Sequence, residues 1–219
     1  MSEQQLLQEN KGGMYTLKGS RLWGALLFCV LVLIDQLTKL AADVYFNTPS
    51  SPESIDVIPG WIALRLAYND GIAYGIGGDS PPWVKITVIA LTGVMMVGLA
   101  VLYCKIDKRR SWLRTALVFV VAGGIGNLID RLYYKVWTAT TLGVRDMVDL
   151  SRFGFAVCNF ADFFISAGAV LLVLSLLFFD KEALFPLGKK YKALAKEAEE
   201  EEERKKAEKE KAAKENGNG

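Results

Sequence analysis

Residues 158–179 read CNFADFFISAGAVLLVLSLLFF, a long apolar run with a single aspartate, Asp162, near its start. A helix needs about 20 apolar residues to cross the hydrocarbon core of a bilayer, and this run is of that length. An amphipathic helix of a soluble protein carries a polar stripe along one face, and this stretch has almost none. The pattern therefore predicts a membrane-spanning helix with an ionisable group at one end.

Three further apolar runs of similar length precede this one. The 219-residue chain is 52% hydrophobic, and its apolar residues are gathered in four blocks. The predicted fold class is an α-helical integral membrane protein with four transmembrane helices. The predicted spans lie at about 22–42, 84–104, 112–131 and 160–180.

Lysine and arginine are concentrated in three clusters that flank these spans on one side. Loops rich in these residues stay in the cytoplasm, so both termini are expected there. The segments 43–83 and 132–159 are then periplasmic. The clusters are Lys11, Lys18 and Arg21; Lys105, Lys108, Arg109 and Arg110; and Lys181, Lys189, Lys190 and Lys192.

The chain divides into a membrane domain at 21–180 and two cytoplasmic tails, at 1–20 and 181–219. The C-terminal tail is rich in Lys, Glu and Ala, which favours a helix by propensity and by Glu–Lys pairing. Because it has no apolar face, we expect a solvated helix or a disordered tail rather than a coiled coil.

The first periplasmic segment has the alternating pattern of a β-strand at 62–67, and Asn-Asp-Gly at 69–71 predicts a tight turn. A plain hairpin on the membrane surface fits the same pattern. The second periplasmic segment adds two acids, Asp146 and Asp149, just before the last span.

Polar groups occur at the periplasmic ends of three predicted spans. An ionisable group within a span is costly and suggests a functional site. One such group alone is explained by an ion pair between helices, whereas groups on three helices at one depth favour an active or binding site. They are Asp35 and Lys39 on the first span, Asn127, Asp130 and Arg131 on the third, and Asp162 on the fourth.

The absence of histidine excludes a Ser-His-Asp triad and a Cys-His pair. Cys29, Cys104 and Cys158 lack metal-ligand spacing, so we expect no metal and no cofactor. Nothing indicates nucleic-acid binding. Carboxylate chemistry remains: two nearby aspartates share one proton, one activates water, and the other protonates a leaving amine. This pattern predicts aspartic peptide hydrolysis.

The residues alone leave the partner of Asp162 open between Asp130, Asp146 and Asp149. Asp130 is disfavoured because it sits beside Arg131, which would hold it ionised in a structural pair. Two other functions use the same acids. One is a proton- or ion-coupled membrane transporter, which would show polar groups through the full membrane thickness. The other is a non-enzymatic scaffold with the acids between helices.

Five motifs give the chain a specific resemblance to a known family. In order they are DQLTK at 35–39, NDGIAYG at 69–75, GGIGNLIDR at 123–131, MVDL at 147–150 and NFAD at 159–162. The chain resembles the bacterial lipoprotein signal peptidases (signal peptidase II). The resemblance implies a four-span aspartic endopeptidase of the inner membrane. It would remove signal peptides from diacylglyceryl-modified prolipoproteins, cutting before the lipidated cysteine.

The resemblance also implies a small periplasmic β-sheet, a short periplasmic helix and particular site residues. The implied catalytic pair is Asp149 and Asp162, with Asp146 as a weaker rival to Asp149. The expected partners are lipid-modified prolipoproteins and the phospholipid bilayer, and we expect a monomer. The implied supporting residues are Asp35, Lys39, Asn69, Gly71, Gly123, Asn127, Asp130, Arg131, Asn159 and Ala161.

Overall fold

The structure is a computed structural model, and it describes residues 3–69, 80–108, 110–138, 143–179, 185 and 187–216. Four of its helices are long and apolar enough to cross a membrane, which confirms the predicted fold class. The spanning segments are Arg21–Phe46, Pro82–Lys105, Ser111–Tyr133 and Phe160–Phe178.

The helices in chain order are α1 (Glu3–Phe46), α2 (Pro82–Lys105), α3 (Ser111–Tyr133), α4 (Phe160–Phe178) and α5 (Gly188–Asn216). The N-terminal tail is thus helical from Glu3 and continuous with the first span. The C-terminal tail forms the solvated helix α5, which carries exposed pairs such as Lys196 and Glu200.

A four-stranded antiparallel sheet lies outside the spans. Its strands are β1 (Ile55–Ile58), β2 (Ile62–Asn69), β3 (Val144–Asp149) and β4 (Val157–Cys158), in that spatial order. The predicted strand at 62–67 is therefore β2. Its hairpin partner precedes it through a turn at Gly60, whose positive φ of 78° suits glycine. The turn predicted at 69–71 extends outside the described residues.

The implied short helix corresponds, within the described residues, to one 3₁₀ turn at Ser151–Phe153. It follows β3 and leads through β4 directly into α4. The sheet is therefore joined to the start of α4 by a single residue, Asn159. This short connection brings the side chains of β3 to the end of the helix bundle.

α3 is the central helix, because more than half of its apolar stretch is buried, compared with less than a fifth in each of the other three spans. Glycines let α3 and α4 approach closely. A Cβ at Gly123 would meet the Ala161 carbonyl oxygen and lie 2.7 Å from Ile165 Cγ1. A Cβ at Gly168 would lie 2.9 Å from the Ala116 carbonyl oxygen. This contact fixes the start of α4 against α3.

Candidate active site

Asp162 lies in the first turn of α4 and forms a capping box with Asn159. Its Oδ2 accepts a hydrogen bond from the backbone N of Asn159 at 3.1 Å, and its own backbone N donates to Asn159 Oδ1 at 3.1 Å. Asn127 Nδ2 of α3 donates to Asp162 Oδ1 at 2.8 Å. Two N–H donors and the positive end of the helix thus stabilise a negative charge on this carboxyl.

Asp146 on β3 is the acid that the structure brings to Asp162. Its Oδ1 accepts from Asn159 Nδ2 at 2.6 Å, and its Oδ2 accepts from Asn69 Nδ2 at 3.3 Å. Only 3% of Asp146 is exposed. Asn159 therefore bridges the two acids, with its amide nitrogen on Asp146 and its backbone N on Asp162.

The environment of Asp146 favours its protonated form. Burial, and after it the nearby charge of Asp162, raise the pKa of Asp146 to about 7. Hydrogen bonds from Asn159 and Asn69 and the charge of Lys39 act in the opposite direction. Below about pH 7, Asp146 therefore carries a proton that a hydrogen-bonded neighbour or substrate can receive.

Asp149, which the family resemblance implies as the partner of Asp162, lies apart from this pair. It lies three residues after Asp146 on β3, so the two side chains point to opposite faces. Asp149 Oδ1 accepts from the backbone N of Ser151 at 2.9 Å, and its Oδ2 lies 2.7 Å from Arg65 Nε. The hydrogen bond from Ser151 and the charge of Arg65 lower the pKa of Asp149. Asp149 therefore stays ionised at the rim of the sheet.

Lys39 and Asp35 form a buried ion pair behind the two acids, and both side chains are fully enclosed. Lys39 Nζ donates to Asp35 Oδ2 and to Asn127 Oδ1, each at 2.9 Å. Because the lysine occupies the oxygen of the Asn127 amide, the amide nitrogen must face Asp162. Lys39 thus orients the group that holds Asp162.

Asp35 also ties α1 to the start of α4. Its Oδ1 accepts from the backbone N of Ala161 at 2.9 Å. A side chain at Gly126 would collide with the carboxyl of Asp35, so this position of α3 has room only for glycine. The spacing of α1, α3 and α4 immediately behind Asp162 is therefore set by Asp35, Ala161 and Gly126.

The partner of Asp130 is Arg145 of β3, not the adjacent Arg131. Arg145 Nε and Nη2 donate to the two oxygens of Asp130 at 3.1 and 2.8 Å, and its backbone N donates at 3.0 Å. Lys39 Nζ is 3.9 Å from Asp130 Oδ2. Asp130 is therefore an ion-paired structural acid, as its charged neighbourhood suggested. Arg131 instead lines the cleft, where the charges of Asp162 and Asp146 act on it.

A cleft of about 600 Å³ opens in front of the acids. Asn69, Asn127 and Asn159 contribute to its polar wall, together with Asp146 and Asp162. Its other walls are largely apolar and come from α2, α3 and α4, including Val88, Met95, Met96, Val120, Phe163 and Ile165. The cleft thus combines a polar end with walls suited to an apolar ligand.

Cys158 and Gly71 complete the list of residues singled out in the sequence. Cys158 lines the cleft, and burial raises the pKa of its thiol to about 11, so the thiol is neutral and a poor nucleophile. Gly71 lies outside the described residues. Among the described residues, no group of three or more His, Cys, Asp or Glu side chains is placed to hold a metal ion.

Comparison with known proteins identifies the family. Residues 27–178 match the family model described as Signal peptidase (SPase) II. The chain belongs to the signal peptidase II family. Members of this family are aspartic peptidases, so the protein is a hydrolase, an aspartic endopeptidase.

The alignments of this signal peptidase II member with curated relatives span most of each relative's length. A protein of Fusobacterium nucleatum named lipoprotein signal peptidase is 34% identical over 158 residues, covering 71% of this chain and 87% of the relative. A protein of the same name from Ectopseudomonas mendocina is 36% identical over 163 residues, covering 72% and 90%. The similarity therefore extends across the spans and the sheet.

Two solved structures of bacterial membrane enzymes, determined by the in meso method at 1.9 and 2.3 Å resolution, resemble the fold of this signal peptidase II member. Each has a TM-score of 0.56 and covers 70% of this chain. The alignments span 92% and 87% of those structures, with sequence identities of 26% and 25%.

Proposed function

We propose that this protein removes signal peptides from lipid-modified prolipoproteins, with Asp146 and Asp162 as its catalytic pair. The observation that carries the proposal is the bridging of two carboxyls by Asn159 at the polar end of an apolar cleft. A protonated and an ionised aspartate side by side are the two groups that aspartic peptide hydrolysis needs.

The proposed reaction starts with a water molecule between the acids and the scissile carbonyl. Asp162, held by Asn127 and Asn159, takes a proton from the water as the oxygen attacks the carbonyl carbon. Asp146 gives its proton to the carbonyl oxygen, which yields a neutral tetrahedral diol. On collapse, Asp162 returns its proton to the leaving amine nitrogen, and Asp146 recovers a proton from the diol. The C–N bond breaks, and both acids regain their starting states.

The substrate class follows from the relatives' name and from the chemistry of the cleft. Two curated relatives are named lipoprotein signal peptidase. Apolar walls from α2, α3 and α4 fit an apolar signal helix or acyl chains. A precursor held in the bilayer by both has a high local concentration at the cleft, so modest affinity is sufficient.

The basic clusters set the proposed orientation, with both termini cytoplasmic and the sheet periplasmic. Under this arrangement the two acids lie at the periplasmic ends of α3 and α4. Water reaches that level from the periplasm, and the lipidated cysteine of a precursor lies near the same interface. The proposed location is therefore the bacterial cytoplasmic membrane, with a monomer acting on membrane-tethered substrates.

Purified protein incubated with two forms of one precursor tests this function. The wild type is expected to release the signal peptide from the diacylglyceryl-modified form, and faster than from the unmodified form. Asp162→Asn, which keeps the shape of the carboxyl but cannot accept a proton, is expected to bind the precursor and leave it intact. Cleavage by Asp162→Asn at the wild-type rate, or no cleavage by folded wild type, would contradict the proposal.

A further inference from the structure

Arg145 immediately precedes Asp146 on β3 and is bound by two helices. Besides its three hydrogen bonds to Asp130 of α3, its Nη1 lies 3.8 Å from Oδ2 of Asp43 on α1. Its guanidinium carbon lies 5.4 Å from the centre of the Tyr134 ring. Arg145 is 7% exposed. A planar guanidinium engaged by two acids and a ring is restricted in orientation, which a lysine ammonium would not be.

These contacts fix the direction in which Asp146 points. Neighbouring residues of a strand face opposite sides of the sheet. With Arg145 anchored toward Asp130 and Asp43, the side chain of Asp146 is directed to the other face, where the cleft lies. The backbone N–H of residue 145 is itself bonded to Asp130, so the main chain just before Asp146 is also tethered.

One turn of α3 contacts Asp162 directly and Asp146 through its neighbour Arg145. Asn127 donates to Asp162 at 2.8 Å, and Asp130, three residues later, receives Arg145. The separation of the two carboxyls is therefore set by the rigid spacing of this helical turn.

We propose that Arg145 is a positioning residue that holds Asp146 in register with Asp162 through Asp130. The proposal rests on the proposed function, because it assigns Arg145 a part in building the catalytic pair. Arg145 itself lies behind the strand and acts only through its neighbour.

The role depends on the shape of the guanidinium rather than on its charge. Polar and charged groups that act on Asp146 come from each element packed around it, and Arg145 points away from them. They are Asp162 of α4, Asn159 just before α4, Asn69 of β2, Lys39 of α1, Arg131 of α3 and Cys158 of β4. A lysine at 145 would keep the charge and the backbone bond to Asp130 but lose the paired guanidinium bonds to its two oxygens.

Arg145→Lys tests the proposal, with Arg65→Lys as the matched control. Arg65 is on β2 of the same sheet and pairs with Asp149, which is on β3 like Arg145. For Arg145→Lys we expect kcat to fall about 10- to 100-fold, as displacement of a catalytic group does, with KM within about twofold of wild type. The alkaline limb of kcat/KM is expected to move to lower pH, because an Asp146 displaced toward water loses burial. Arg65→Lys is expected to leave both unchanged.

Wild-type kcat and an unshifted pH limb in folded Arg145→Lys would overturn the proposal. If Arg145→Lys does not fold, Asp43→Asn replaces it, since it weakens the outer contact of the guanidinium and leaves the hydrogen bonds from Arg145 to Asp130 in place. Its expected effect is a smaller loss of kcat with a pH shift in the same direction, and a wild-type profile overturns the proposal. If folded wild type cleaves no precursor, the proposed function is overturned as well. If wild type and Arg145→Lys cleave the precursor equally well, only the role of Arg145 is overturned.

Discussion

Two aspartates of β3, three residues apart, lie in opposite environments. Asp146 is buried between Asn159 and Asn69 and has its pKa raised to about 7. Asp149 is paired with the half-exposed Arg65, and its pKa is lowered. Two identical side chains about 10 Å apart along a strand thus differ in protonation because one is buried beside an acid and the other accepts hydrogen bonds from Ser151 beside a cation. Burial beside a second acid favours a proton donor, whereas hydrogen bonds from Ser151 and a neighbouring cation favour an anion.

The largest expected effect that tests this comparison is on catalysis. Asp146→Asn is expected to lower kcat by about 10²- to 10⁴-fold, the usual contribution of a general acid or base. Asp149→Asn removes only a rim ion pair, and its kcat is expected within about threefold of wild type. Steady-state cleavage of one diacylglyceryl-modified precursor by both folded variants checks this. The reverse ranking would restore Asp149 as the partner of Asp162.

The same contrast between enclosed and exposed charges applies to stability. Lys39→Met leaves Asp35 buried without its cation, and we expect a loss of about 3–5 kcal/mol of folding free energy. Lys196→Met on α5 removes an exposed partner of Glu200, and we expect a change within about 0.5 kcal/mol. Unfolding of both variants in the same detergent measures the difference. Equal stabilities would show that the buried pair contributes little.

Close packing behind Asp162 provides a smaller test. Gly123→Ala places a Cβ against the Ala161 carbonyl and 3.1 Å from the Ile165 backbone N, so we expect a cost of about 1–3 kcal/mol. Gly98→Ala on α2 meets nothing within 4 Å and should gain up to about 1 kcal/mol from helix propensity. Thermal unfolding compares the two variants. A Gly123→Ala protein as stable as Gly98→Ala would mean that α3 and α4 separate easily.

Much of the fold could be predicted because it depends on local pattern. Apolar runs of span length produced the four helices, and strand alternation produced β2. The family resemblance implies Asn127 and Asn159 as supporting residues of the site. Asn159 does bond Asp162 in its own turn, but Asn127 reaches Asp162 on a different helix. The sequence thus predicted which residues gather at the site better than how they pair.

The pairings that the sequence did not predict depend on register and long-range contacts. Asp146 and Asp149 lie in one short stretch, and only the strand geometry decides which of them faces α4. The alternation of 144, 146 and 148 with 145, 147 and 149 was the available signal. Arg131 seemed to be the partner of Asp130 because it is adjacent, yet consecutive helical residues do not face each other. Arg145, fifteen residues away, takes that place.

The pH dependence of kcat/KM tests the central claim most directly, because it reports the proton on the buried acid. Asp146 must be protonated to act as the acid, and its raised pKa of about 7 means that activity is lost as pH rises. We expect kcat/KM to fall about tenfold per pH unit above about pH 7. Asp149→Asn is expected to show the same profile. A profile without a limb between pH 6 and 8, or a limb that disappears in Asp149→Asn, would contradict the account.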